Sequence, residues 1–180
     1  MLFMEAQENK KVFLLCRVLG IYMKGESRLI LLQKNPSGKT YNDLIDLCFD
    51  ICDQFHLVLR KDMGSLKSFD KFLNKIDSAL VTMKEESEWA STILDEGQTA
   101  KVYYYHTKDE NVKRIIKETV NSLYEWEMPN HPEDLSFFKD GEVWLATSSH
   151  ERECYIFPKE EEVGKIMNIN GIDATIEEDE

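Results

Sequence analysis

Gly38-Lys39-Thr40 follows an apolar run, Leu29–Leu32, and precedes a helical pattern. A phosphate-binding loop stands in that place: backbone N–H groups cradle phosphates, the lysine reaches the terminal ones and the threonine holds magnesium. Gln33 occupies the position where the full pattern needs its leading glycine, and Pro36 removes a backbone donor from the loop. The competing reading is a turn that opens a helix, with Thr40 as the cap. Gly38, Lys39 and Thr40 therefore stand as alternative phosphate-binding residues.

Other residues carry chemistry with less support. Asp43, Asp46, Asp50 and Asp53 recur at helical spacing and line one helix face. A cation site needs ligands from more than one element, so a solvated face is the simpler reading. His131, Asp134, His150, Glu151 and Cys154 surround a strand-rich segment, but His150-Glu151 lacks the second histidine of a zinc-protease helix. Ser65, Ser68 and Lys71 include a Ser-x-x-Lys pair without its companion motifs, and a helix cap explains the serines. Cys16, Cys48, Cys52 and Cys154 form no C-x-x-C pair and read as reduced core thiols. His56 and His106 read as structural. No catalytic residue, metal site or cofactor is expected.

Aromatic residues are dense in the second half: Tyr103, Tyr104, Tyr105, Tyr124, Trp126, Phe137, Phe138 and Trp144. Strand alternation puts Tyr103 and Tyr105 on one face and Tyr104 on the other. Glu125, Glu127, Glu133 and Asp134 lie close by in sequence. Aromatic anchors with a charged rim make a protein interface. Its expected residues are Tyr103, Tyr105, Trp126, Trp144, Glu125, Glu127, Glu133 and Asp134.

These residues need elements to position them. Val12–Met23 and Arg28–Gln33 read as a hairpin turning at Lys24–Ser27, with a first helix over 10–23 as the alternative, because short apolar runs are ambiguous by period alone. Tyr41–Phe55 reads as a helix buried through Leu44, Ile45, Cys48, Ile51, Cys52 and Phe55. Leu57–Arg60 is a short strand. Leu66, Phe69, Leu73, Ile76, Leu80 and Met83 keep 3-4 spacing and predict one helix over 66–85, with a third helix over 88–94. Lys101–Thr107 is a strand, and Asp109 caps a helix running to about Trp126. Leu135–Phe138, Glu142–Thr147 and Glu153–Phe157 form an antiparallel meander around the Asp140-Gly141 turn. A short helix follows over 159–167. The expected class is α+β: a mixed or antiparallel sheet with a C-terminal meander packed on two or three amphipathic helices. A near-neutral lobe over 1–97 and an acidic one over 98–176, with an acidic tail at 177–180, share one sheet or pack together.

The stretch Pro132–Glu151, which holds Phe137, Phe138, Asp140-Gly141, Trp144 and His150-Glu151, with Tyr124 and Trp126 before it, resembles a segment of small Gram-positive bacterial proteins of unassigned function. The resemblance implies a bacterial or phage origin and a similar C-terminal hairpin. It implies no activity.

The net charge is −12, carried almost wholly by the second half. Residues 1–80 hold 12 Lys/Arg and 10 Asp/Glu, whereas residues 81–180 hold 10 and 24. Such a field repels nucleic acid and anionic membranes and attracts basic surfaces. No leader or membrane span is read in the chain, so a cytoplasmic location is expected. The leading functional expectation is a non-catalytic acidic protein that masks a basic protein surface such as a nuclease or toxin, of immunity or phage anti-defence type. A small nucleotide- or phosphate-binding enzyme and a self-assembling structural protein are the alternatives.

Overall fold

The computed structural model describes residues 28–177. The first strand of the expected N-terminal hairpin, its turn, Cys16 and the acidic tail beyond Glu177 lie outside them. Among the described residues eight strands form one sheet, every pairing antiparallel. In chain order they are β1 (Leu29–Leu32), β2 (Gln54–Arg60), β3 (Leu80–Glu86), β6 (Ala100–His106), β7 (Glu133–Lys139), β8 (Glu142–Ser148), β9 (Glu153–Ile156) and β10 (Ala174–Glu177). Across the sheet the order is β10-β1-β9-β8-β7-β2-β6-β3. Two further strands, β4 (Glu88–Trp89) and β5 (Thr92–Ile93), make a separate hairpin. The helices are α1 (Lys39–Ile51), α2 (Asp70–Ile76), α3 (Glu110–Thr119) and α4 (Glu160–Met167). This is the α+β class with a C-terminal meander. Among the described residues no helix is long and apolar enough to cross a membrane.

Strand alternation divides the apolar residues between two faces. Ile30, Phe55, Leu57, Tyr105, Leu135, Phe137, Leu145 and Ile156 meet Leu44, Ile45 and Cys48 of α1, Val112 and Ile116 of α3 and Ile166 of α4 in the main core. Phe55 stacks on Tyr105 with ring centroids 5.0 Å apart, and Phe49 of α1 packs on both Phe55 and Phe137. On the opposite face Val58, Ala100 and Val102 pack under Trp89 of the β4–β5 hairpin. Farther along that face Leu29, Ala146, Tyr155 and Phe157 cluster with Ala90.

Local chemistry sets several boundaries. The Asp109 carboxylate accepts from the Asn111 and Val112 amides and starts α3, as its position predicts. The helix stops at Thr119, short of Trp126, because Val120 turns extended. A capping box then closes a single 3-10 turn: Glu125 accepts from the Asn121 and Ser122 amides.

The long helix expected over 66–85 is not formed. A 3-10 turn (66–69), the seven-residue α2 and a second 3-10 turn (77–79) lead into β3. Leu66 to Ile76 keep the helical pattern, but the next residues find a better partner in the edge of β6, where Met83 pairs with Tyr103 and Thr82 with Tyr104. The 88–94 segment is likewise a hairpin, because burying Trp89 fixes it to the sheet. The change in composition near residues 97–100 falls between β5 and β6; β6 then pairs with β2 on one side and β3 on the other.

Candidate protein-binding surface

The eight residues expected to form an aromatic interface are not brought together at the surface. Tyr105, Trp126 and Trp144 are at most 2% exposed, and Glu133 and Asp134 at most 1%. Tyr105 lands on the helix-covered face of the sheet. The Trp126 indole donates to the Tyr41 hydroxyl at 3.0 Å, and that hydroxyl donates to the Ile116 carbonyl at 2.9 Å. The Trp144 indole donates to Glu162 of α4 at 2.9 Å. Tyr103 is half-buried among the residues packed on the core. Glu125 is exposed, but its carboxylate turns back to cap its own turn. Glu127 is 3.8 Å from Arg152. The aromatic anchors are core, and the rim has nothing to surround.

Glu133 and Asp134 belong instead to a polar nest inside the sheet. Asp134 sits at φ 57, within a register shift where β7 holds one residue more than β2. Its carboxylate accepts from the Trp89 indole at 2.9 Å and the Ser149 amide at 2.9 Å, so it ties the hairpin and the turn after β8 to β7. Burial raises its pKa, and these bonds oppose the rise. Among the described residues, neither Glu133 oxygen and neither His56 ring nitrogen has a hydrogen-bond partner of good geometry. Burial, then the Asp134 charge, pushes the Glu133 carboxyl up to about 7, and burial pushes the His56 imidazole down to about 3. His56 is enclosed by Tyr104 and Phe138.

The Gly38-Lys39-Thr40 segment opens α1, but its polar groups are engaged within the fold. The Gly38 amide donates to Asn121, the Asn42 amide to Gly38, and the Thr40 hydroxyl to the Asn170 carbonyl at 2.8 Å. Lys39 pairs with Asp43 at 2.6 Å. The Thr40 hydroxyl and the Lys39 ammonium, which a phosphate site would use, are thus both engaged within the fold. The aspartate stripe is likewise paired in part, Asp46 with Lys117 at 2.7 Å. His131 leans on Trp126, and no group of three His, Cys, Asp or Glu among the described residues could hold a metal. Cys48, Cys52 and Cys154 are free and buried.

The surface that stands out lies at β3. Leu80, Val81 and Met83 are 38%, 50% and 42% exposed, and the other large exposed apolar residues among those described are Ile93 and Ile176. β3 pairs with β6 on one side, and no described strand pairs with its other side. An edge strand presents unpaired N–H and C=O groups, and charged side chains are the usual guard against pairing. Here Lys84, Glu85 and Glu86 guard only the C-terminal half.

The chain continues from β3 straight into the β4–β5 hairpin, and residues 85–96 contain five acids and no base. Two of those acids are tied to the fold. Glu85 bridges Lys61 at 2.9 Å, which lowers its pKa, and Glu86 accepts from the Tyr104 hydroxyl at 2.6 Å. Glu88, Asp95 and Glu96 are exposed and form no ion pair among the described residues, and Ile93 stands across the hairpin from Glu88. The sequence signal was present as an apolar stretch followed by an unbroken acidic one; its helical spacing concealed it. Compared with family models, curated proteins and solved structures, the chain has no match.

Proposed function

We propose that this is a non-catalytic binding protein that docks on a basic protein surface. The partner's extended segment adds to the free edge of β3, and its Lys or Arg side chains meet Glu88, Asp95 and Glu96. The observation that carries this reading is a strand edge left unpaired among the described residues, with apolar side chains exposed, next to an acidic hairpin. Strand addition draws affinity from main-chain bonds and specificity from side-chain contacts. Opposite charge speeds encounter and fixes register. A nuclease or a toxin is the kind of basic protein such a surface would mask. Three buried free thiols suit a reducing compartment such as the cytoplasm.

The test uses the intact protein and a peptide alternating Val and Lys as a stand-in for a basic strand. Binding is followed by amide chemical shifts. The expected result is shifts concentrated on β3 and the hairpin, weakened about tenfold by E88K/D95K/E96K. Raising salt from ~0.1 to ~0.5 M should weaken it too, because the screening length falls from about 10 Å to about 4 Å. Shifts elsewhere, or binding indifferent to both changes, would sink the proposal.

A further inference from the structure

In a chain where acids outnumber bases 34 to 22, cations are mostly paired. Lys34, Lys39, Lys61, Lys113, Lys117 and Lys139 each hold a carboxylate. Lys71 and Lys75 are among the described lysines that form no ion pair; what sets them apart is their place, one turn apart on α2 and exposed. They flank a groove of about 730 Å³ between α2 and α3. The groove is open along one side to solvent.

The far wall is the exposed stripe of α3. Arg114 sits there with its guanidinium held from both sides, by Glu118 at 2.7 Å and by Asn111 at 2.7 Å. A guanidinium fixed in this way has already lost much of its rotamer freedom, which lowers the cost of gripping an anion. Between the two walls lie Phe72 and Ile115, both half-buried. Phe72 rests on Trp126 at 5.6 Å between ring centroids, so the floor is anchored to the core. Three cations against the one carboxylate of Glu118 leave the groove net positive in an otherwise acidic molecule.

From this juxtaposition we infer that the α2–α3 groove is a binding site for a small organic phosphate with a flat apolar body, of the nucleoside monophosphate class. Lys71, Lys75 and Arg114 take the phosphate, and Phe72 and Ile115 support the body. The site is separate from β3 and from the Gly38 turn. The phosphate supplies the anion that two unpaired lysines lack, and the flat body covers the apolar floor. Inorganic phosphate alone would use only half of these features.

The experiment is calorimetric titration of the whole protein, at low ionic strength, with adenosine monophosphate, adenosine and inorganic phosphate in turn. Adenosine monophosphate should bind most tightly, with Kd at or below about 1 mM. Adenosine and inorganic phosphate should each bind at least about tenfold more weakly. The variant K71E/K75E changes two exposed side chains, so its unfolding temperature should match the parent's. It should lose about tenfold or more in affinity for adenosine monophosphate. No heat with the monophosphate at about 10 mM, equal affinity for adenosine, or unchanged affinity in the variant would each overturn the assignment.

Discussion

β7 and β3 are both seven-residue strands that carry two acids, yet they invert the usual rule in opposite senses. β7 buries Glu133 and Asp134, while β3 exposes Leu80, Val81 and Met83. Place in the sheet explains the difference. β7 lies between β8 and β2, with the core on one face and the Trp89 hairpin bonded to it from the other. β3 is outermost among the described strands. Strand composition did not decide burial; the neighbours did. An acid kept inside costs stability unless it is bonded, and an apolar row left outside is free for a partner. The two strands can therefore be perturbed separately, and each should answer with a different observable.

The largest effect is expected from Asp134→Ala. It leaves the Trp89 indole and the Ser149 amide without their acceptor, at about 1–3 kcal/mol for each buried donor. It also puts alanine at φ 57, a left-handed conformation that aspartate and asparagine tolerate better, at roughly 1–2 kcal/mol. A total loss of about 3–8 kcal/mol should appear in urea unfolding. Asp134→Asn keeps an acceptor and the backbone preference and should lose less than half of that. Equal losses in both variants would mean that one acceptor oxygen cannot hold the nest and that both carboxylate oxygens are required.

The next effect depends on pH and on the two unpartnered groups beside Asp134. A carboxyl raised to about 7 holds its proton in the folded state after the unfolded chain has released it. Stability from Glu133 is therefore full below its ordinary pKa and is lost as pH rises toward 7. An imidazole lowered to about 3 acts at the other end: the unfolded chain takes up a proton below pH ~6.5, so stability falls as pH drops. The groups facing this nest, Arg60, Glu127, Asp134 and His150, modulate both limbs. Between about pH 4.5 and 6.5 the two slopes oppose each other, and the parent should be nearly flat. Glu133→Gln should leave the His56 slope uncompensated, so that stability rises by on the order of 2 kcal/mol from pH 4.5 to 6.5. His56→Leu should leave the Glu133 slope uncompensated, so that stability falls by a similar magnitude over the same window as pH rises. Urea midpoints measured across pH for the three proteins would check this; unchanged profiles in both variants would remove titration from the account.

The contrast between the strands also marks what sequence could tell. β6 was readable because Val102, Tyr103, Tyr104 and Tyr105 have strong strand preference, and α1 because Leu44, Ile45 and Cys48 recur on one face. Asp109 announced α3, and Asp140-Gly141 announced the turn of the meander. β3 was not readable, because Leu80 and Met83 extend the spacing of Phe69 and Ile76 and mimic one long helix. Only the waiting edge of β6 tells the two apart, and pairing partners are distant in sequence. The interface suffered from the same lack. Alternation puts Tyr103 and Tyr105 on one face, but which face the helices cover is a property of the assembled fold. The acidic half was legible as a total charge; its concentration after β3 mattered more than the total.

The smallest stability effect should come from the strand with the most exposed apolar residues. Leu80→Lys with Met83→Lys removes two side chains that are 38% and 42% exposed. Surface changes of this kind stay within about 0.5 kcal/mol. Lysine on an edge strand also opposes unwanted pairing, so self-association at high concentration should decrease. The same double variant should abolish binding of the basic Val/Lys strand, because it puts positive charge where the partner's own positive charge arrives. The two readouts together decide between the readings. Retained stability with lost binding makes β3 a docking edge. A stability loss above about 1.5 kcal/mol would instead make Leu80 and Met83 part of the core, and β3 would then differ from β7 only in degree.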